Sequence, residues 1–509
     1  EIMSSDWSSD VCSSDLMVSL KKKIIYPQEY RNAFQHLSLL QYRMRTEFVS
    51  RNQQLPDSIL IEHNISRHVL VAQRLQILDQ NKAHAQKHIS LAKVRRLCSK
   101  NNMAVLHYHI SEKQAFVFVI HQDYVNVVPL EADRSVLQGL VDSLLVPLQL
   151  NSTEKIRSAS FRADIAHELY CKIFEPVKRN GQLPEQLYVV ADPPLVNLPF
   201  EMLLSQSAQK PTYTPTDASD YHRAFLQNDF IFTYSPSIAA LLNKNKITGR
   251  PSVAIFSNPL FYESPLVALA EQLRSPLRSK LSILPFSERE AMLIKSRVEN
   301  AKHFHLEDAT EQRVLNALKK HDIIHIATHA FVDSSFDAFS GVALARPPDS
   351  SSDGLLMGYE IQDMALKNDL IVLSACESGQ GRLVAGEGVL GLPRLFLRAG
   401  AGSVIMSLWK VHDPFPSKLM PEFYDQHINR GKSIAEALAL AKRQVLKASP
   451  NQQDLTYQHP FFGATFCLYG SPGVRHSTLW IHFVLLILCL ILLIFAGRYL
   501  ISRRRHQNS

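Results

Sequence analysis

The sequence predicts an α/β protein built on a mostly parallel sheet with helices on both faces. Two observations point there. From Ser252 onward, short apolar runs alternate with helical stretches, the pattern of strands buried beneath crossover helices. In addition, two of those runs end abruptly in small and polar residues, as strands do where a site forms at the carboxyl edge of an open sheet.

The elements follow in chain order. Residues 1–16, EIMSSDWSSDVCSSDL, repeat SSD without periodicity and resemble a translated sequencing adapter. They are set aside as non-native, with the native start expected upstream. Residues 17–103 carry apolar positions at three-to-four spacing, such as Val69, Leu70, Leu75, Leu78 and Ile89, Leu91, Val94, Leu97. That spacing predicts amphipathic helices, either a helical lead-in or the end of a helical repeat array. No convincing 34-residue repeat is present.

The texture becomes β-rich at Met103, with AVLHYHI and QAFVFVIHQDYVNVVPL separated by SEK. Helices are expected over 135–148 and 163–177, followed by the strand LYVVAD (187–192) and the proline-marked PPLVNLPFEML. Further strands are expected at 253–257, 302–306, 322–328, 369–375, 403–409 and 464–470. Helices are expected near 288–300, 310–320, 387–399, 416–429 and 433–448.

Composition narrows the function. The chain has 509 residues, 46% hydrophobic and 20% charged, enough for a large core and more than one domain. The formal charge of +8 is mild at this length. No basic stripe is interleaved with aromatics, so no nucleic-acid partner is expected. The six cysteines are scattered without a CxxC pair, which supports neither a disulfide framework nor a zinc site. Cys467 and Cys489 read as small buried hydrophobes.

Residues 479–497, LWIHFVLLILCLILLIFAG, contain no Asp, Glu, Lys or Arg over 19 positions. This is long enough for a membrane-spanning helix, after a linker at 471–478. The tail 498–509 is basic and, by the positive-inside rule, faces the cytoplasm. The preceding domain is then expected to lie outside the membrane. A tail-anchored, cytosol-facing arrangement stays open.

The chemistry is expected at two strand ends. One strand ends at Thr328 and is followed by His329; the other ends near Ala375 and is followed by Cys376. If these strands are neighbours, the two side chains share one edge. A cysteine nucleophile acts as its thiolate, which a nearby histidine supports. Backbone N–H groups in the following turns would bind an oxyanion. Spacing alone is also compatible with a buried thiol and a satisfied histidine.

The motifs are more specific. HIATHAF, LSACESG, GEGVLGLPRLFLRAGAGSVIMSLWKVHD, FYDQHINRGKSIAEALALAKRQVL and HPFFGATFCLYG occur in this order. Together with VLHYHISEKQAFVFVI, ELYCKIFEPV and LPFEML upstream, they resemble the CHAT family over residues 104–470. That family is a caspase-like peptidase domain often found beside tetratricopeptide repeats. The resemblance implies a caspase-like α/β fold, with a catalytic dyad of Cys376 and His329 and no cofactor. It places the oxyanion N–H groups at Ala330 and Cys376, and Glu377 and Asp413 on the substrate side. One departure is Ala330, where the family usually has glycine.

GxGxxG at Gly386, Gly388 and Gly391 does not directly follow a strand, so nucleotide binding is not expected. His325 and His329 lack a third ligand, so no metal is expected. The implied function is a membrane-anchored cysteine endopeptidase acting on a protein or peptide substrate. Access would be regulated through the N-terminal helices or a protein partner. The alternative is a catalytically weak membrane scaffold that binds partners through those helices.

Overall fold

The computed structural model describes residues 90–148, 160–207, 210–213, 224–241, 250–261, 284–331, 340–347, 352, 354–362, 364–374, 391–409, 414–447, 457 and 459–473. The expected segments 1–16 and 479–497, and most of the helical lead-in, lie outside them. Among the described residues no helix is long and apolar enough to cross a membrane.

Of the sixteen described strands, two form the short pair Phe161–Arg162 and Thr212–Tyr213, and the other fourteen make up two sheets. In order they are β1 (Met103–Ile110), β2 (Ala115–Ile120), β3 (Val125–Leu130), β4 (Gln186–Val190), β5 (Ile231–Ser235), β6 (Val253–Pro259), β7 (Lys302–Leu306) and β8 (Ile323–Ala327). Then come β9 (Ala330–Phe331), β10 (Gly341–Ala343), β11 (Leu355–Met357), β12 (Leu370–Leu373), β13 (Ser403–Ser407) and β14 (Phe466–Gly470). Eleven of them form one sheet in the order β3-β2-β1-β4-β5-β14-β13-β12-β8-β6-β7, while β9, β10 and β11 form a small sheet beside it. The principal helices are α1 (Leu91–Asn101), α2 (Arg134–Leu145), α3 (Ala163–Leu169), α4 (Pro285–Arg297), α5 (Glu311–Leu318), α6 (Gly391–Ala399), α7 (Pro414–Tyr424) and α8 (Ile434–Lys447).

The expected mostly parallel sheet is present, with a feature the sequence did not predict. β1, β4, β5 and β14 run parallel to one another, and so do β13, β12, β8, β6 and β7. The two sets meet antiparallel at β13 and β14. The sheet therefore has two carboxyl edges, pointing opposite ways.

Burial follows from this order. Every residue of β6, β8, β12, β13 and β14 is buried, which explains their largely apolar composition. The edge strand β3 alternates, exposing Val125 and Val127. Around β1, helices cover both faces. Val94 and Cys98 of α1 pack with Val105, Tyr188 and Val190. On the other face the Tyr108 hydroxyl donates to the Ile173 carbonyl at 3.0 Å.

Helix boundaries are set locally. Asp133 caps α2, its carboxylate accepting from the Val136 N–H at 2.9 Å. Thr310 caps α5 in the same way. The helices expected over 163–177 and 416–429 each contain a π-helical turn, at Tyr170–Phe174 and Asp425–Asn429. The strand β5 was not expected at all.

The amino ends of β8 and β12 bring two carboxylates together. The Asp369 N–H donates to the Asp322 carbonyl at 2.8 Å. Burial, and then the neighbouring charge of Asp322, pushes the Asp369 carboxyl from 3.8 up to about 7. The folded chain therefore holds this proton more tightly than the unfolded chain. Stability is lost as the pH rises through this interval. Asp369→Asn should raise stability by about 1 kcal/mol at pH 8, with the gain vanishing near pH 4. Urea unfolding at both pH values checks this.

Candidate active site

β8 is built from Ile323-Ile324-His325-Ile326-Ala327, a β-branched run suited to a buried central strand. It leaves the sheet at Thr328 and is pinned at once to the small sheet. The Thr328 hydroxyl donates to the Ala343 carbonyl at 2.6 Å, and the Ala343 N–H donates to the His329 carbonyl at 2.8 Å. The His329 imidazole lies 5.4 Å, centroid to centroid, from the Phe261 ring, which follows β6. Its residue is only 3% exposed.

The two expected strands are direct neighbours. β8 and β12 pair in parallel, Ile323 with Leu370 through Ile326 with Leu373. The Ser374 N–H adds a further rung to the Ile326 carbonyl at 2.9 Å. Cys376 thus follows two positions after a rung that ties β12 to β8. Cys376, Glu377 and Asp413 themselves lie outside the described residues, as do Gly386 and Gly388; Gly391 opens α6.

Ala330 sits in β9 opposite Val342 of β10. Because the Ala343 N–H bonds to the His329 carbonyl, Ala330 and Val342 form a non-hydrogen-bonded pair. The Ala330 N–H therefore points away from this ladder. Ala330 is not among the described non-glycine residues with positive φ, so the alanine sits here without the strain of a left-handed backbone.

The described cysteines differ from a nucleophile. Burial pushes the Cys98 thiol up to about 11, and burial first, then Glu201, pushes Cys467 well up. Cys171 lies 3.6 Å from His167 Nε2, yet burial first, then Glu175, raises its thiol as well. Among the described residues no three His, Cys, Asp or Glu side chains are grouped as a metal site. Sequence reasoning missed Phe261 and Ala343 as neighbours of His329. Their separations of 68 and 14 residues left no local signal.

Comparison with known proteins agrees with the motifs. Residues 163–471 match the CHAT domain, and the chain belongs to that family. β1 to β3 precede the matched span but share its sheet. Human tetratricopeptide repeat protein 28 is 27% identical over 333 residues, covering 57% of this chain and 12% of that protein. The mouse protein of the same name is 28% identical over 225 residues, 38% of this chain and 9% of its own length. This chain therefore spans a small part of those relatives.

Among solved structures, it is similar to the Arg-specific cysteine proteinase gingipain R, at 10% identity and a TM-score of 0.36, covering 64% of this chain and 68% of that one. The Saccharomyces cerevisiae separase–securin complex is also similar. There the identity is 11% and the TM-score 0.43, over 83% of this chain and 35% of that one.

Thr328→Val removes the hydroxyl that ties the strand end to β10. It should lower stability by about 1–2 kcal/mol, with an unchanged urea m-value showing that the fold is kept.

Proposed function

We propose that this chain is a membrane-anchored, caspase-like cysteine endopeptidase acting through Cys376 and His329. The observation that carries the proposal is the parallel pairing of β8 and β12. It directs both chain continuations, toward His329 and toward Cys376, to one edge of the sheet. Membership of the CHAT family supports the same reading.

In this mechanism His329 accepts the Cys376 thiol proton, and the thiolate attacks the scissile carbonyl carbon. The carbonyl oxygen becomes an oxyanion held by the N–H groups of Ala330 and Cys376. The C–N bond then breaks, and the departing amine takes its proton from His329. Water, deprotonated by His329, hydrolyses the resulting thioester and restores the thiol. Glu377 and Asp413 are assigned to the substrate side. Residues 479–497 are assigned as the membrane anchor, with the basic tail cytoplasmic. The N-terminal helices are assigned to binding a regulatory protein.

A second reading is a membrane scaffold with little catalytic power. The near-complete burial of His329 favours it, because a working base must meet its substrate. The resemblance to proteins named for tetratricopeptide repeats favours it as well.

The two readings differ in the thiol. Labelling of the full chain with an iodoacetamide probe between pH 5 and 9 should modify Cys376 below the free-thiol range of about 8.5. Cys98 serves as the unreactive internal reference. His329→Ala should abolish the low-pH labelling. If Cys376 labels no faster than Cys98 or Cys171 and His329→Ala changes nothing, the peptidase reading fails and the scaffold reading stands.

A further inference from the structure

Beneath the strand ends lies a buried polar cluster that the dyad mechanism does not use. α4 packs over the sheet and directs Glu290 inward, where it is 2% exposed. Its Oε2 accepts a hydrogen bond from the Ser374 hydroxyl at 3.1 Å. Its Oε1 lies 3.1 Å from His325 Nε2. That second contact has ion-pair distance without hydrogen-bond alignment. The other ring nitrogen of His325, Nδ1, is 3.3 Å from the Tyr424 hydroxyl, at the end of α7. His325 and Ser374 are themselves buried, at 0% and 5% exposure. Burial first, then Glu290, raises the Tyr424 hydroxyl well above its ordinary value, so it keeps its proton.

A buried carboxylate is costly unless it is paired and hydrogen-bonded. Two small structural residues would satisfy the sheet at lower cost. Here one carboxylate oxygen accepts from Ser374, just past β12, and the other lies at ion-pair distance from His325 of β8. His325 lies on β8, four residues before His329. Ser374 follows β12, two residues before Cys376. Main-chain bonds already fix the two strands side by side, but a ladder rung does not fix how the chain leaves the sheet beyond its last residue. Ser374 is that exit residue on β12, and its side chain is held from the helix layer.

We propose that Glu290 is a positioning residue: through Ser374 and His325 it sets the relative placement of the two strand exits that carry His329 and Cys376. The inference rests on the peptidase reading of that edge. Glu290 acts through the strands, by its contacts with Ser374 and His325. The neighbouring Glu288 does not share the task. Its carboxylate is directed to Ser257 at 3.0 Å and His305 at 3.2 Å, toward the edge strand β7.

The test uses the full chain with Ser374→Ala and Glu290→Gln. Ser374→Ala deletes one hydroxyl. Glu290→Gln keeps the side-chain size but leaves one carbonyl oxygen to serve two partners. Labelling of Cys376 by iodoacetamide is followed from pH 5 to 9, alongside thermal unfolding. Both variants should unfold cooperatively yet raise the labelling midpoint by about one pH unit. That shift slows labelling at pH 7 roughly tenfold, because the thiolate is the reacting species. A purely structural role would lower the melting temperature and leave the midpoint in place. If the parent midpoint is depressed and both variants keep it, the positioning role is overturned. If the parent midpoint is ordinary, the dyad reading itself fails, and the positioning role fails with it.

Discussion

The antiparallel pairing of β13 with β14 is the constraint on which the rest of the architecture depends. Five residue pairs, Ser403 with Gly470 through Ser407 with Phe466, join two parallel sets of strands that run in opposite directions. β14 comes from near residue 470, yet it lies at the middle of the eleven-stranded sheet. The central sheet therefore closes only when the distant end of the domain is in place. The join tolerates little variation. At Gly470, φ is +97°, and an added Cβ would stand 2.6 Å from both the Gly402 carbonyl oxygen and Leu397 Cδ2. Only glycine meets both demands at once. Because the two sets are opposed, each has its own carboxyl edge, and His329 belongs to the edge of the second set.

Burial on both faces leaves few places for polar groups, and those present are used to join layers. Lys442 of α8 lies 3.3 Å from Glu201 Oε1, with both side chains nearly inaccessible. The Tyr234 hydroxyl, on β5, donates to the other carboxylate oxygen and accepts from the Phe200 N–H at 2.7 Å. A helix, a 3-10 turn and a central strand are thus joined through one carboxylate. The Glu290 cluster repeats this plan in the second strand set, joining α4, α7, β8 and the exit from β12. Such groups contribute more to specifying one arrangement than to net stability, since desolvation offsets most of their attraction.

How far the sequence could be read depended on the range of the interactions involved. The runs VAIFS and SVIMS were legible as strands because a strand buried on both faces is mostly apolar, whereas KHFHL is the partly exposed edge strand. The neighbouring placement of β8 and β12 was only a condition of the sequence reading, and the register supplies it. β5 was overlooked although IFTYS carries β-branched and aromatic residues before Ser-Pro, a usable strand signal. The reversal between the strand sets was not legible, because an apolar run has no direction. Nor were the π-helical turns, which depend on packing rather than on residue type. His325 read as a histidine on a buried strand, and its partner Glu290 lies 35 residues away on a helix. No spacing rule links such a pair.

The contrast between the two Cys–His neighbourhoods shows why proximity alone does not make a nucleophile. Cys171 has a histidine nitrogen at 3.6 Å, yet its thiol is raised rather than lowered. The cause is its surroundings: partial burial and the Glu175 carboxylate both oppose a second negative charge. Both residues also sit on one helical segment, four positions apart, and not at two strand ends. The edge of β8 and β12 differs in kind. It brings chain exits from two strands together, and Ala330 directs an N–H away from its ladder. A thiolate is stabilised by donors and a cation with few competing anions nearby. None of Cys98, Cys171 and Cys467 meets those requirements, since burial raises each of the three thiols.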